Sequence, residues 1–368
     1  VAFQNSGLTR RIVLWTSLKS RGEPKRLLFL LMMVTALVSS ILADVPVVAM
    51  MFPVALFLLQ QNKCPVGESP FGKAVMLGIA LAALIGGVGT PAGSGTNILT
   101  INMLENAAHV SVSFFQWTAI GMPMVLLLTP VAWWALIKVY PPEIQHLVGM
   151  ESIGEDYARL GPLGRKEKCF LLFLSINLLL WCSSGTHGLP LPTAAVLGCV
   201  LFALPGVGLI TWEEDRSKIG WDILFLVGTA NSLGMALWEN GTATWIANAC
   251  LGGLNTLPLI VVIALVSLFT ILIHLVIPVN TPIVTVVLPP VVAIAVSMGI
   301  NPAILAVPLG FSVSAAVLLP LDSVSLVTYQ AGYYKMYDMF KPGIIISIAW
   351  IIITTALMYL IATPLGLM

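Results

Sequence analysis

Asp44, Asp322, Asn280 and Thr281 stand inside long apolar stretches, and Gly93, Ser94, Thr96 and Asn97 close a glycine-rich one. Carboxylates, an amide and hydroxyls in such surroundings bind ions and small polar molecules. An ionisable group inside an apolar span is by default a functional residue. Two carboxylates at one depth repel each other, which opens cation and proton chemistry. Structural readings stand beside these. Asp44 can cap the helix that follows it, and a glycine-rich stretch can serve close helix packing. His274, ahead of Asn280, reads as a hydrogen-bonded packing residue rather than a proton relay. Asn231 and Ser232 read as helix–helix hydrogen bonds. No Cys-x-x-Cys or His-x-x-x-His spacing, phosphate loop or nucleophile–base pair is present. The chain therefore reads as a binder of small ions and not as an enzyme, with no organic cofactor and no nucleic-acid partner.

Composition says what positions these residues. Of the 368 residues, 58% are hydrophobic and 9% charged, with a mean hydropathy of +0.99. A soluble domain carries about 25% charged residues. A soluble globule, a nucleic-acid binder and a disordered chain are excluded, and an all-α polytopic protein of the lipid bilayer remains. Cys64, Cys169, Cys182, Cys199 and Cys250 are scattered and odd in number, and read as small buried hydrophobes. The Trp and Tyr residues read as interface anchors or lipid-facing packing. The chain opens with Val1, and a basic stretch (Arg10, Arg11, Lys19, Arg21, Lys25, Arg26) precedes its first apolar run. That start reads as a fragment or a processed chain.

A membrane-spanning helix takes about 20 apolar residues. The apolar segments are roughly 27–61, 74–104, 114–139, 169–182, 193–211, 220–238, 256–297, 302–330 and 343–365. Segments 27–61 and 256–297 are too long for one span and too short for two. Each is interrupted midway, at Ala43-Asp44-Val45-Pro46 and at Pro278-Val279-Asn280-Thr281-Pro282. A re-entrant helical hairpin with its tip at those residues resolves both. If these two enter and leave on one side and the rest cross, all 17 Lys and Arg fall on one face. The positive-inside rule makes that face cytoplasmic. The N-terminus is then cytoplasmic and the C-terminus outside, in the cell (inner) membrane. The mixed-charge stretch 140–168 reads as a solvated linker along the cytoplasmic interface.

The two hairpins are related. Residues 44–53 align with 280–289 at an offset of 236, and Asn5-Ser6-Gly7 with Ile12 matches Glu239-Asn240-Gly241 with Ile246 at an offset of 234. Each hairpin is followed by an apolar segment with its own break, at 86–97 within 74–104 and at 320–325 within 302–330. The organisation expected is a first repeat at 1–139, the linker at 140–168 and a second repeat at 169–368. They form inverted-topology repeats, each with a re-entrant hairpin and a broken helix, and the site lies between them. Broken helices offer free N–H groups to anions and free carbonyls to cations.

At these residues the chain resembles the divalent anion:sodium symporters of the wider ion transporter superfamily, which carry dicarboxylates, citrate or sulfate. In that family each hairpin tip carries Ser-Asn-Thr and each following helix breaks near a Thr-Pro-Pro-Asn-like stretch. Val279-Asn280-Thr281 keeps the Asn and Thr, and 89–97 looks like the first break. Segments 332–339 and 221–228 resemble the family's stretches after the second break and before the outer hairpin. The first tip departs, since Ala43-Asp44-Val45 replaces all three motif residues, and Asp322 stands where the family shows a small neutral residue. The resemblance implies a secondary transporter importing a di- or tricarboxylate or sulfate with sodium as coupling ion. Hairpins and broken helices would move as a unit against scaffold helices. Substrate residues would be Asn280, Thr281, Asp44, Val45 and Ser323. Ion residues would be Asp44, Gly93, Ser94, Thr96, Asn97, Asn280 and Asp322. A homodimer is implied, and the family's scaffold helices before the first hairpin are missing. Two alternatives stay open. One is a proton-coupled anion transporter, or a cation:proton antiporter or oxyanion exporter, working through Asp44 and Asp322. The other is a non-transporting fragment or partner subunit.

Overall fold

The computed structural model describes residues 1–148, 150–183, 191–204, 206–218, 221–242, 245 and 257–367, all helix and connections with no strand among them. The side chain of Asn231 and residues Ile246 and Cys250 lie outside what is described. The residues before the first hairpin are not a tail. They form α1 (Ala2–Ser6) and α2 (Leu8–Lys19), joined at Gly7, whose φ of 86° is one that glycine adopts without strain.

The two long segments divide as expected into helix pairs. The first is α3 (Pro24–Ser39) and α4 (Asp44–Gln61); the second is α12 (Leu259–Ile273) and α13 (Asn280–Ser297). The interruptions fall earlier than the sequence places them, at Ser40–Ala43 and His274–Val279. Asp44 and Asn280 are therefore the first residues of two helices of 18 residues each. Pro46 and Pro282 sit in their first turns, where a missing N–H breaks no helical hydrogen bond.

The Gly-rich break is where it is expected. α5 (Pro70–Gly87) stops, Pro91–Gly93 makes one 3-10 turn, and α6 (Gly95–Ala108) follows. Beyond Lys73 in its first turn, α5 is apolar all round and buried along almost its whole length, as an interior helix must be. The second break is longer and lies further upstream than residues 320–325. α14 (Ala303–Val313) ends at Val313 and α15 (Ser323–Tyr329) begins at Ser323. α7 (Phe114–Val139) opens on a Ser113–Gln116 capping box, and α16 (Phe340–Ile361) ends the chain's helices.

Between them lie α8 (Met150–Arg159), α9 (Arg165–Cys182), α10 (Leu191–Phe202) and α11 (Trp221–Glu239). Four expectations are corrected here. The apolar segment 193–211 is helical only to Phe202, and the described residues 203–204 and 206–211 that follow are irregular. The linker 140–168 is docked rather than merely solvated: α8 packs on α2, and Glu143 accepts hydrogen bonds from Ser69 Oγ and from the Phe71 N–H. Arg11 adds a bidentate pair with Glu167 at 2.7 and 3.0 Å. Finally, Trp117, Trp350 and Tyr333 are wholly buried rather than interfacial, and of the described cysteines only Cys64 is buried.

Among the described residues, five helical stretches are long and apolar enough to cross a membrane: Asp44–Gln61, Pro70–Gly87, Phe114–Val139, Asn280–Ser297 and Met336–Ile361. Their packing comes in matched pairs. α3 and α4 pack on α5 as α12 and α13 pack on α14. α3 and α5 meet α7 as α12 and α14 meet α16, and α7 pairs with α16. Across the middle, α4 packs on α15 and α13 on α6.

Candidate substrate and ion site

Three kinds of contact hold the first helix pair to the first break. Ser39 Oγ donates to the Ala83 carbonyl at 2.9 Å, and Thr90 Oγ1 donates to the Ser40 carbonyl at 2.5 Å. At Gly86 a Cβ would lie 2.2 Å from the Ala36 carbonyl oxygen, so α3 and α5 touch through backbone. Gly93 is as tight: its Cβ would lie 2.6 Å from the Gly87 oxygen and 2.9 Å from the Ser39 oxygen. Asn97 closes the break. Its Nδ2 donates to the carbonyls of Gly87 (2.7 Å) and Thr90 (2.9 Å), while its wholly buried Oδ1 has no partner. Ser94 Oγ and Thr96 Oγ1 hydrogen-bond to each other at 2.9 Å. Trp117 Nε1 donates to the Val88 carbonyl at 3.0 Å. The glycine-rich stretch thus serves close packing and also gathers backbone and side-chain oxygens.

Asp44 lies against this cluster. Its Oδ1 accepts the Val45 N–H at 2.9 Å, and its Oδ2 is 3.5 Å from where a Cβ on Gly87 would stand. Asp322 does the same at the second break: it is the N-cap of α15, and its Oδ2 accepts the Val324 N–H at 3.0 Å. Both carboxylates are buried, and they lie close enough to act on each other electrostatically. A carboxylate at a helix N-terminus is favoured by the dipole there. The ion pairs among the described residues fall elsewhere, at Arg11–Glu167, Lys73–Asp338 and within 155–159. Ser325 Oγ, wholly buried in the first turn of α15, has no partner, and Ser323 is exposed.

The second tip is of the opposite kind. α13 begins at Asn280 and Thr281 behind Val279, which has no side chain to cap it. Thr281 is buried, and Asn280 Oδ1 is buried without a partner. The helix it packs on, α6, also starts without a side-chain cap, and at Gly95 a Cβ would meet nothing within 4 Å. His274 is a tether, as the sequence reading has it: its Nε2 lies 2.8 Å from the Val313 carbonyl oxygen. A cavity of about 10 Å³, room for one water, opens between His274, Pro278, Ala316, Leu321 and Asp322. Among the described residues no three His, Cys, Asp or Glu side chains converge as a metal cluster would.

The structure therefore brings Asp44 to Gly87, puts Asp322 within electrostatic reach of Asp44, and packs the helix that Asn280 and Thr281 begin on α6. Sequence reasoning missed Ser39, Ser40 and Trp117, whose only signal is a hydroxyl or indole at the end of an apolar run.

Comparison with known proteins gives the family. Residues 1–368 match the family described as sodium:sulfate symporter transmembrane region, and the chain belongs to that family. It is thus one of a family of multi-pass membrane transporters, not an enzyme. A "membrane protein" of Cupriavidus necator is 26% identical over 86% of this chain and 63% of its own length. A sodium-dependent dicarboxylate transporter SdcS of Staphylococcus saprophyticus is 24% identical over 92% of this chain and 70% of its own length. A sodium-dependent high-affinity dicarboxylate transporter 3 of Caenorhabditis elegans is 25% identical over 98% of this chain, so the chain spans 72% of that relative. The crystal structure of the Alcanivorax borkumensis YdaH transporter, described as having an unusual topology, shares the fold. The TM-score is 0.64 and the identity 14%, covering 99% of this chain and 84% of that one.

Proposed function

We propose that this chain imports a small anion, carboxylate or sulfate in type, driven by an inward sodium gradient. The observation that carries it is the packing of α13 on α6, two helices that both begin without a side-chain cap, with Asn280 and Thr281 at the start of the first. Free N–H groups at helix ends hold an anion without any Lys or Arg. The names of the dicarboxylate-transporting relatives support a carboxylate and support sodium as the coupling ion. Sodium takes oxygen ligands, which Gly93, Ser94, Thr96, Asn97, Asn280, Asp44 and Asp322 supply. Val45 and Ser323 sit at helix starts facing the same transport path. The architecture belongs to the same proposal: inverted repeats at 1–139 and 169–368, re-entrant hairpins at 27–61 and 256–297, and a cytoplasmic N-terminus. The matched packing of α3–α7 and α12–α16 supports it.

One observation favours a second reading. Asp44 and Asp322 lie within electrostatic reach of each other and neither forms an ion pair with Lys, Arg or His among the described residues, so proton coupling through them is the rival. Uptake of labelled succinate into proteoliposomes, under a sodium gradient and separately a proton gradient, decides between them. Sulfate and citrate serve as competitors. Sodium-driven uptake is the expected result; uptake driven by protons alone overturns it.

A further inference from the structure

The two ring nitrogens of His274 have different surroundings. His274 closes α12, and its Nε2 lies 2.8 Å from the Val313 carbonyl oxygen. A carbonyl only accepts, so Nε2 carries the hydrogen and the neutral ring leaves Nδ1 as an acceptor. That Nδ1 is buried and has no protein partner. The buried carboxylate of Asp322 lines the same cavity of about 10 Å³ as His274. No ion pair joins the two within 4.0 Å, so ring and carboxylate stand apart across it. The other lining residues, among them Leu275, Pro278, Ala316 and Leu321, have apolar side chains.

Two acceptors that share a cavity the size of one water need a donor at each end. Water supplies both, and a buried water takes two or more polar partners. A hard cation in the same space would meet a ring nitrogen where it takes oxygen. The first helix pair is fastened to its break by two side-chain hydrogen bonds, Ser39 to Ala83 and Thr90 to Ser40. Among the described residues the second pair has one such bond, His274 to Val313.

We infer that one water molecule joins His274 Nδ1 to the Asp322 carboxylate, donating an O–H to each, and that His274 is a positioning residue for the cation bound at Asp322. The inference rests on the reading above in which Asp322 supplies an oxygen to sodium, and it adds the group that holds that oxygen in place. Losing an outer partner of this kind weakens ion binding by about ten- to a hundredfold.

Two substitutions separate the nitrogens. His274→Gln keeps a donor where Nε2 stands and loses the Nδ1 acceptor. His274→Asn keeps an acceptor where Nδ1 stands and loses the tether to Val313. Labelled succinate uptake into proteoliposomes is measured against sodium concentration, with Tm in detergent alongside. His274→Gln is expected to raise the half-saturating sodium concentration by on the order of tenfold, with maximal rate and Tm little changed. His274→Asn is expected to lower Tm and leave sodium half-saturation near the wild type. Equal shifts in both, or none in His274→Gln, overturn the inference and leave sodium-driven import standing. If wild-type uptake is not driven by sodium, that import reading fails and 15N spectra of histidine-labelled protein judge the water alone. His274 is one of four histidines, assigned by the signal lost in His274→Gln. An Nε2–H tautomer whose Nδ1 signal moves in Ala316→Val, which fills the cavity, upholds the water. An Nδ1–H tautomer, or a signal unmoved by Ala316→Val, overturns it.

Discussion

Asn97 gives the sharpest test of how the first break is held. Its amide donates to two buried carbonyls, Gly87 at 2.7 Å and Thr90 at 2.9 Å, and the residue is wholly buried. Removing a donor from a buried acceptor costs about 1–3 kcal/mol for each group left unsatisfied. Asn97→Ala is therefore expected to lower stability by about 2–5 kcal/mol, somewhat below the sum because one carbonyl can relax toward another donor. Asn97→Asp separates hydrogen bonding from shape. It fills the same volume but sets an acceptor against two acceptors, so it is expected to be at least as damaging as Ala at neutral pH. Tm in a mild detergent, followed by size-exclusion retention after heating, reads both. An Asn97→Asp protein as stable as the wild type at pH 8 would refute the reasoning, because the amide donors would then hold nothing.

Other consequences are directly measurable. A Cβ on Gly93 would press on two backbone oxygens at 2.6 and 2.9 Å, so Gly93→Ala is expected to abolish gradient-driven uptake. Gly228→Ala, where nothing lies within 4 Å, is expected to leave uptake unchanged. Trp117→Phe removes the donor to the Val88 carbonyl and is expected to cost about 1–3 kcal/mol in detergent unfolding. Hydrogen bonding from Arg11, helped by the Gly164 N–H and opposed by burial, holds the Glu167 carboxyl below the usual glutamate range. A lowered value means that its share of stability is complete above about pH 4.3 and is lost as pH falls through the lowered value. A Tm–pH profile of Glu167→Gln is expected to lack that acid limb.

The apolar runs and their interruptions were legible because helix length in a bilayer and the cost of polar backbone there leave few choices. α7 runs from Phe114 to Val139, and the first break falls where the glycines cluster. The pairing of residues 44–53 with 280–289 marked two helix starts, because a first turn tolerates proline and favours Asp or Asn. The early end of α10 was not legible. Val200, Leu201, Phe202, Ala203 and Leu204 are as apolar as a helix interior, and the signal lay in the Pro205-Gly206 pair that follows. The site was legible as residue types but not as a pattern. That Asp322 caps α15 and Asp44 takes the neighbouring Val45 N–H, while α13 and α6 start without a side-chain cap, is a matter of which N–H each side chain reaches. Composition cannot carry that.

The bonds from Ser39 to Ala83 and from Thr90 to Ser40, with the backbone contact at Gly86, fasten the first turn to the first break at three points. No pivot can sit between them without parting all three at once. Whatever motion opens the site to one side and then the other must carry turn and break as a single piece of cargo-handling machinery. A covalent staple across Ser39 and Ala83 is then expected to leave gradient-driven uptake unchanged.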